Sequence, residues 1–289
     1  MKRFTVSSDG FHGFLHTPEA DAFPGKAVIV VGGSEGNDQV AVGTGRRFAE
    51  NGIHALGVCY WNAPGLPGEL IEVPAESIEN AVKYLKASGF EKIAMYGISK
   101  GGELTLLAAS LIPEITCAVA VCPLHVVMAG IKGNGSTLRK GFANRSSFTW
   151  RGKPLPFVPG KTSKAGVLWR LITKRQIEMR FMYEKALTRA PEQAVIPVEK
   201  INGPILLICP EDDSMWPSDT ACAAVERRLK GNKHPFPVKR LTYKYTSHIL
   251  VPMDPSMLRF FKIERKFPKE CAKSRADAFE KTISFLSEW

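Results

Sequence analysis

The sequence lacks any apolar run approaching the roughly 18 residues that cross a bilayer, so no membrane span is expected among its 289 residues. Its opening, MKRFTVSSDG, turns polar where a secretory signal needs about 7 to 15 apolar residues, and the expected location is cytoplasmic. The six cysteines, at positions 59, 117, 122, 209, 222 and 271, form no CxxC pair and no histidine-rich spacing. That sets aside a structural zinc site and a disulfide framework, and neither a metal nor a bound cofactor is expected. Aspartate is missing altogether between 131 and 200, where fifteen Lys and Arg face four Glu, while the rest of the chain carries 24 charges of each sign. All of the net +11 therefore resides in one stretch. That stretch has few aromatics and no nucleic-acid motif, so no nucleic-acid partner is expected despite a pI near 9.4. With 44% hydrophobic and 23% charged residues the chain is globular rather than disordered, collagen-like or coiled-coil.

Short β-type runs recur with helical stretches between them: residues 3–6, 11–16, 26–31, 54–59, 92–96, 117–122, 204–209 and 238–243. The first two flank a turn-rich tetrapeptide and suit an antiparallel edge hairpin; the later ones are solidly apolar, as buried parallel strands are. This pattern predicts an eight-stranded, mostly parallel α/β sheet with flanking helices. A helix after Pro74 places Ile78, Ala81, Val82 and Leu85 on one face, another follows Gly101, and a last one closes the chain. The alternation breaks between Pro123 and Ile201, a gap too long for one crossover helix. The expected organisation is a core over 1–123, an inserted basic cap over 124–200, mostly loops with a helix around 165–190, and the second part of the core over 201–289.

The pattern G-x-S-x-G, which marks a serine on a tight strand-to-helix turn, occurs at Ser34 and at Ser99. Only Ser99 runs straight into a strong helix former, GELTLLAASLI, and only Ser99 has an upstream Gly-rich loop to donate a second oxyanion N–H. Ser99 is the expected nucleophile. Its oxyanion pocket is expected from the backbone N–H of Lys100 and one from the loop Gly32–Gly36, assigned to Ser34, with Gly33 beside the substrate. A serine needs a histidine to take its proton and a carboxylate to orient that histidine, in the chain order Ser, acid, His. After the seventh strand come Asp212 and Asp213, of which Asp213 is preferred, and after the eighth comes His248. His125, at the start of the cap, is a candidate substrate contact.

The stretches GISKGGEL and DDSMWPS, with most of residues 26–255 around them, resemble the C-terminal catalytic domain of the acyl-CoA thioester hydrolases and bile acid-CoA:amino acid N-acyltransferases. The resemblance implies an α/β-hydrolase fold and places the family triad on Ser99, Asp213 and His248. The conjugating branch usually has cysteine at the nucleophile position, so Ser99 points to hydrolysis. The expected function is a serine hydrolase of acyl thioesters, with acyl-CoA as first substrate. An ester, lactone or peptide hydrolase, an amino-acid acyltransferase and a non-catalytic ligand-binding protein are the alternatives. Arg139, Lys140 and Arg145, together with Arg151 and Lys153, are candidates for holding the coenzyme A phosphates.

Overall fold

A computed structural model describes residues 1–133, 141–253 and 256–289. The eight β-type runs become the eight strands of one sheet, the last of them, contrary to expectation, an edge strand with no fully buried residue: β1 (Lys2–Phe4), β2 (His12–His16), β3 (Lys26–Val31), β4 (His54–Cys59), β5 (Lys92–Ile98), β6 (Ile115–Val121), β7 (Ile205–Pro210) and β8 (Val238–Tyr243). Their spatial order is 1-2-4-3-5-6-7-8. β2 runs antiparallel to both β1 and β4, and every other pairing is parallel. Strands β3, β5, β6 and β7 are buried on both faces, which is why they read as unbroken apolar runs rather than alternating ones.

Helices α1 (Gln39–Glu50), α2 (Glu76–Ala87), α3 (Lys100–Leu111), α4 (Lys164–Lys174), α5 (Arg180–Leu187), α6 (Ser218–Gly231) and α7 (Pro268–Glu288) cover the sheet or lie in the inserted segment. α3 is buried almost all round, with only Leu111 partly exposed, as expected of a helix packed beneath a sheet and an insertion at once. α2 buries the predicted stripe Ile78, Ala81, Val82 and Leu85. Between β1 and β2 the expected turn is one helical turn, Val6–Asp9, ended by Gly10 in the left-handed region at φ 75°.

The insertion departs from expectation in two ways. Its first half contains paired strands: Ala129–Ile131 lies against Phe142–Ser146, and Phe148–Trp150 pairs in parallel with Val73–Pro74. The partners of the second pairing are some 75 residues apart in sequence, so no local pattern announces it. The single helix expected around 165–190 is two, because Arg175 takes the left-handed conformation at φ 55° and caps α4, and α5 starts only at Arg180. Leu124, Val126, Met128, Val158, Val167, Met182 and Tyr183 form a separate apolar cluster with Trp216 and Ala221, tying the insertion to the turn after β7. Among the described residues no helix is long and apolar enough to cross a membrane.

Candidate active site

Ser99 occupies the sharp turn between β5 and α3 with φ 58° and ψ −120°, a region that L residues rarely enter. Such strain persists only where the surroundings over-determine it. Its N–H donates to the Val121 carbonyl (2.9 Å) and its carbonyl accepts the Glu103 N–H (3.0 Å). The flanking glycines are required by space: a Cβ on Gly97 would stand 2.3 Å from the Gly101 carbonyl oxygen, and one on Gly101 would stand 2.0 Å from that of Gly32. Ser34, in the other copy of the motif, is half-buried and absent from the positive-φ residues. The two copies thus differ in backbone geometry as well as in context.

The turn after β7 separates the two aspartates. Asp212 is exposed, whereas Asp213 is fully buried and its Oδ2 lies 2.7 Å from His248 Nδ1. The Ser218 hydroxyl donates to the same Oδ2 (2.6 Å), and the Met215 N–H donates to Oδ1 (2.9 Å). The carboxylate is therefore fixed from three sides before any substrate arrives. His248 is buried too, its ring edge-on to Trp216 at 5.6 Å between centroids. Its loop is clamped one residue earlier: Glu264 accepts the Ser247 hydroxyl (2.7 Å) and N–H (3.2 Å), and Arg275 holds Glu264 in turn (2.8 Å).

β6 connects the parts. Val121 receives the Ser99 N–H, and the next residue, Cys122, donates its thiol to the His248 carbonyl (3.3 Å) while its own carbonyl accepts the Trp216 indole N–H (2.9 Å). Cys122, Asp213 and His248 also form the one group of potential metal ligands found among the described residues. Burial pushes the Cys122 thiol well above its ordinary value, so it serves here as a neutral donor rather than a thiolate ligand.

The loop Gly32–Gly36 passes directly over the turn. A Cβ on Gly33 would sit 3.2 Å from the Ser99 Cβ, so a side chain there would push loop and turn apart by a few tenths of an ångström. The loop is held by the run that follows β4: the Tyr60 hydroxyl donates to the Gly33 carbonyl, and the Asn62 amide donates to the Gly36 carbonyl (2.6 Å). Burial raises the Tyr60 phenol far above its normal range, keeping it a donor. Glu35 folds back so that its Oε2 accepts the Gly33 N–H (2.7 Å), and loss of hydration holds its carboxyl above the usual carboxylate range. Spacing signalled none of Tyr60, Ser218, Glu264 and Arg275; Glu35 was marked only as the acidic residue inside the first G-x-S-x-G.

Lys100 supplies a backbone N–H next to Ser99, but its side chain turns into the core. With 1% exposure it contacts both Glu103 oxygens (2.9 Å each) and the Ser147 hydroxyl (2.7 Å), and Glu103 also accepts the Met128 N–H (3.0 Å). Burial drives the Lys100 ammonium down and the Glu103 carboxyl up, and their mutual attraction opposes both shifts. The Lys and Glu of GISKGGEL thus fasten α3 to the insertion.

Arg145 forms a two-pronged pair with Glu72, and Arg151 does the same with Glu79. His125 lines a cleft of about 330 Å³ with Val195, Arg227 and Arg228, and burial and Arg227 lower its pKa. Lys153 is exposed, while Arg139 and Lys140 lie outside the described residues.

Comparison with known proteins agrees with this geometry. The chain is 26% identical over 257 residues to human acyl-coenzyme A thioesterase 1, an alignment covering 87% of this chain and 55% of that protein. It is 24% identical over 252 residues to the mouse peroxisomal succinyl-coenzyme A thioesterase, covering 83% of this chain and 55% of that protein. The chain therefore spans little more than half the length of these relatives. A dienelactone hydrolase-like promiscuous phosphotriesterase from metagenomic libraries superposes with a TM-score of 0.55 over 99% of this chain and 95% of that one, at 16% identity, which establishes the α/β-hydrolase fold. Residues 73–289 match the family model described as BAAT / Acyl-CoA thioester hydrolase C terminal, and the chain belongs to that family.

Proposed function

We propose that the chain hydrolyses acyl thioesters, acyl-CoA first among them, through an acyl-serine intermediate on Ser99. The observation that carries this reading is the buried 2.7 Å contact of His248 Nδ1 with Asp213 Oδ2, in a family member whose Ser99 sits on a strained strand-to-helix turn. Asp213 holds the imidazole so that Nε2 is free to act as base. Ser99 Oγ attacks the acyl carbonyl carbon while His248 takes its proton. The oxyanion is received by the Lys100 N–H and a loop N–H, assigned to Ser34 because Glu35 already holds that of Gly33. Collapse breaks the C–S bond, and His248 returns the proton to the departing thiolate. Water, deprotonated by His248, then cleaves the acyl-serine to a carboxylic acid and restores Ser99. Segment 124–200 is the cap over this site, and within it Arg139, Lys140 and Arg145 together receive the coenzyme A phosphates.

The test is turnover of acyl-CoAs of graded chain length beside simple p-nitrophenyl esters, read as free thiol or phenol. Faster kcat/KM on acyl-CoA supports the proposal. Turnover of the esters alone assigns the chain to ester hydrolysis, and acyl transfer to added glycine without acid release assigns it to the conjugating reaction.

A further inference from the structure

Half of the exposed large apolar side chains among the described residues lie on one helix. In α4, Leu168 is 56% exposed, Trp169 66%, Leu171 39% and Ile172 65%, and Val167 is its one buried residue. The same helix and its cap carry Lys164, Arg170, Lys174 and Arg175 and no carboxylate, although Arg170 and Lys174 pair with Glu178 just beyond the helix. At its C-terminal end the segment Ser256–Phe260 adds Phe260 and Met257, also exposed, anchored by the Ile177 N–H donating to the Phe260 carbonyl (3.2 Å). At its N-terminal end a cleft of about 560 Å³ is bordered by Phe181 and Met182 and by the cations Lys161, Lys185 and Arg189. The strip sets exposed apolar side chains beside cationic ones.

We infer that α4 docks on an anionic lipid surface, lying flat with Leu168, Trp169, Leu171 and Ile172 in the acyl boundary and its lysines and arginines among the headgroups. An aromatic ring beside aliphatic side chains suits that boundary, and long cationic stems reach outward from it. Charge complementarity selects the occupant. A second copy pairing through the same helix would set the exposed Lys164 and Arg175 against cations of its own, a like-charge contact, whereas an anionic leaflet attracts both. This inference does not depend on the reaction assigned to Ser99.

The test is co-sedimentation of the full chain with phosphatidylcholine vesicles that contain or lack phosphatidylglycerol. The expected result is binding to the anionic vesicles, weakened by high salt and at least about tenfold weaker for both Trp169→Ser/Ile172→Ser and Lys164→Glu/Arg175→Glu, with p-nitrophenyl ester turnover unchanged. If the first double variant loses its cooperative melt, Leu168→Ser alone carries the same expectation. Absence of binding, equal binding to neutral vesicles, or variants that bind like the wild type would overturn the inference. So would a two-copy mass in light scattering without lipid that falls to one copy on Trp169→Ser/Ile172→Ser.

Discussion

Asp213 and His248, 35 positions apart, meet in the interior through a 2.7 Å contact that Ser218 and the Met215 N–H brace from the acid's side. The exposed neighbour Asp212 has no part in it. Asp213→Asn should leave the melt cooperative while lowering kcat on the order of 10³- to 10⁴-fold, since the amide favours the wrong imidazole tautomer. Asp212→Asn should stay within about threefold of wild type, because an exposed residue outside the contact rarely matters much. Steady-state kinetics on the two variants checks the ranking.

Lys100 and Glu103 are buried with each other, and removing one leaves the other charged and without water. Glu103→Leu and Lys100→Met should each destabilise by about 3–5 kcal/mol, and the double variant by less than either single change. Urea unfolding of the three variants measures this. Additive losses would mean that the pair is not coupled.

Glu35 has a carboxyl pKa raised by burial, so the folded protein holds that proton more tightly than the unfolded chain does. Its contribution to stability is therefore greatest below the ordinary carboxylate value and is lost as pH rises through the raised one. Thermal unfolding of Glu35→Gln should gain on the wild type as pH increases across that window. A constant difference between the two would show that the Glu35 carboxyl has no altered proton affinity.

If the cationic cap receives coenzyme A phosphates, the KM for acyl-CoA should rise steeply with ionic strength, because such contacts are screened over a Debye length of about 8 Å at physiological salt. The KM for a neutral ester should not. Changing Arg139, Lys140 and Arg145 together to Glu should raise only the former. Arg145 is well exposed where it pairs with Glu72, and such a surface pair adds little stability, so its loss should not unfold the chain. Equal salt dependence for both substrates contradicts the cap assignment.

The sheet was legible because a strand buried on both faces must be apolar throughout, and each such run in the sequence became a strand. α1 was not, because Gly43 and Gly45 weaken its helical pattern; a Cβ on Gly45 would stand 3.0 Å from the His16 ring, so the glycine favours close packing on β2. The pairing of Val73–Pro74 with Phe148–Trp150 depends on contacts across some 75 residues and leaves no local trace. At the site, the positions of Ser99, Asp213 and His248 follow from motif and strand order. The groups that hold them, Tyr60, Ser218, Glu264 and the Lys100 side chain, act through tertiary contacts that no spacing encodes.

The most direct measurement is the site of covalent labelling by a fluorophosphonate, followed by peptide mass analysis. The account predicts one adduct, on the peptide carrying Ser99, formed at a rate lowered at least about 10³-fold in His248→Ala and abolished together with acyl-CoA turnover in Ser99→Ala. An adduct on Ser34, or acyl-CoA turnover that survives Ser99→Ala, would contradict it.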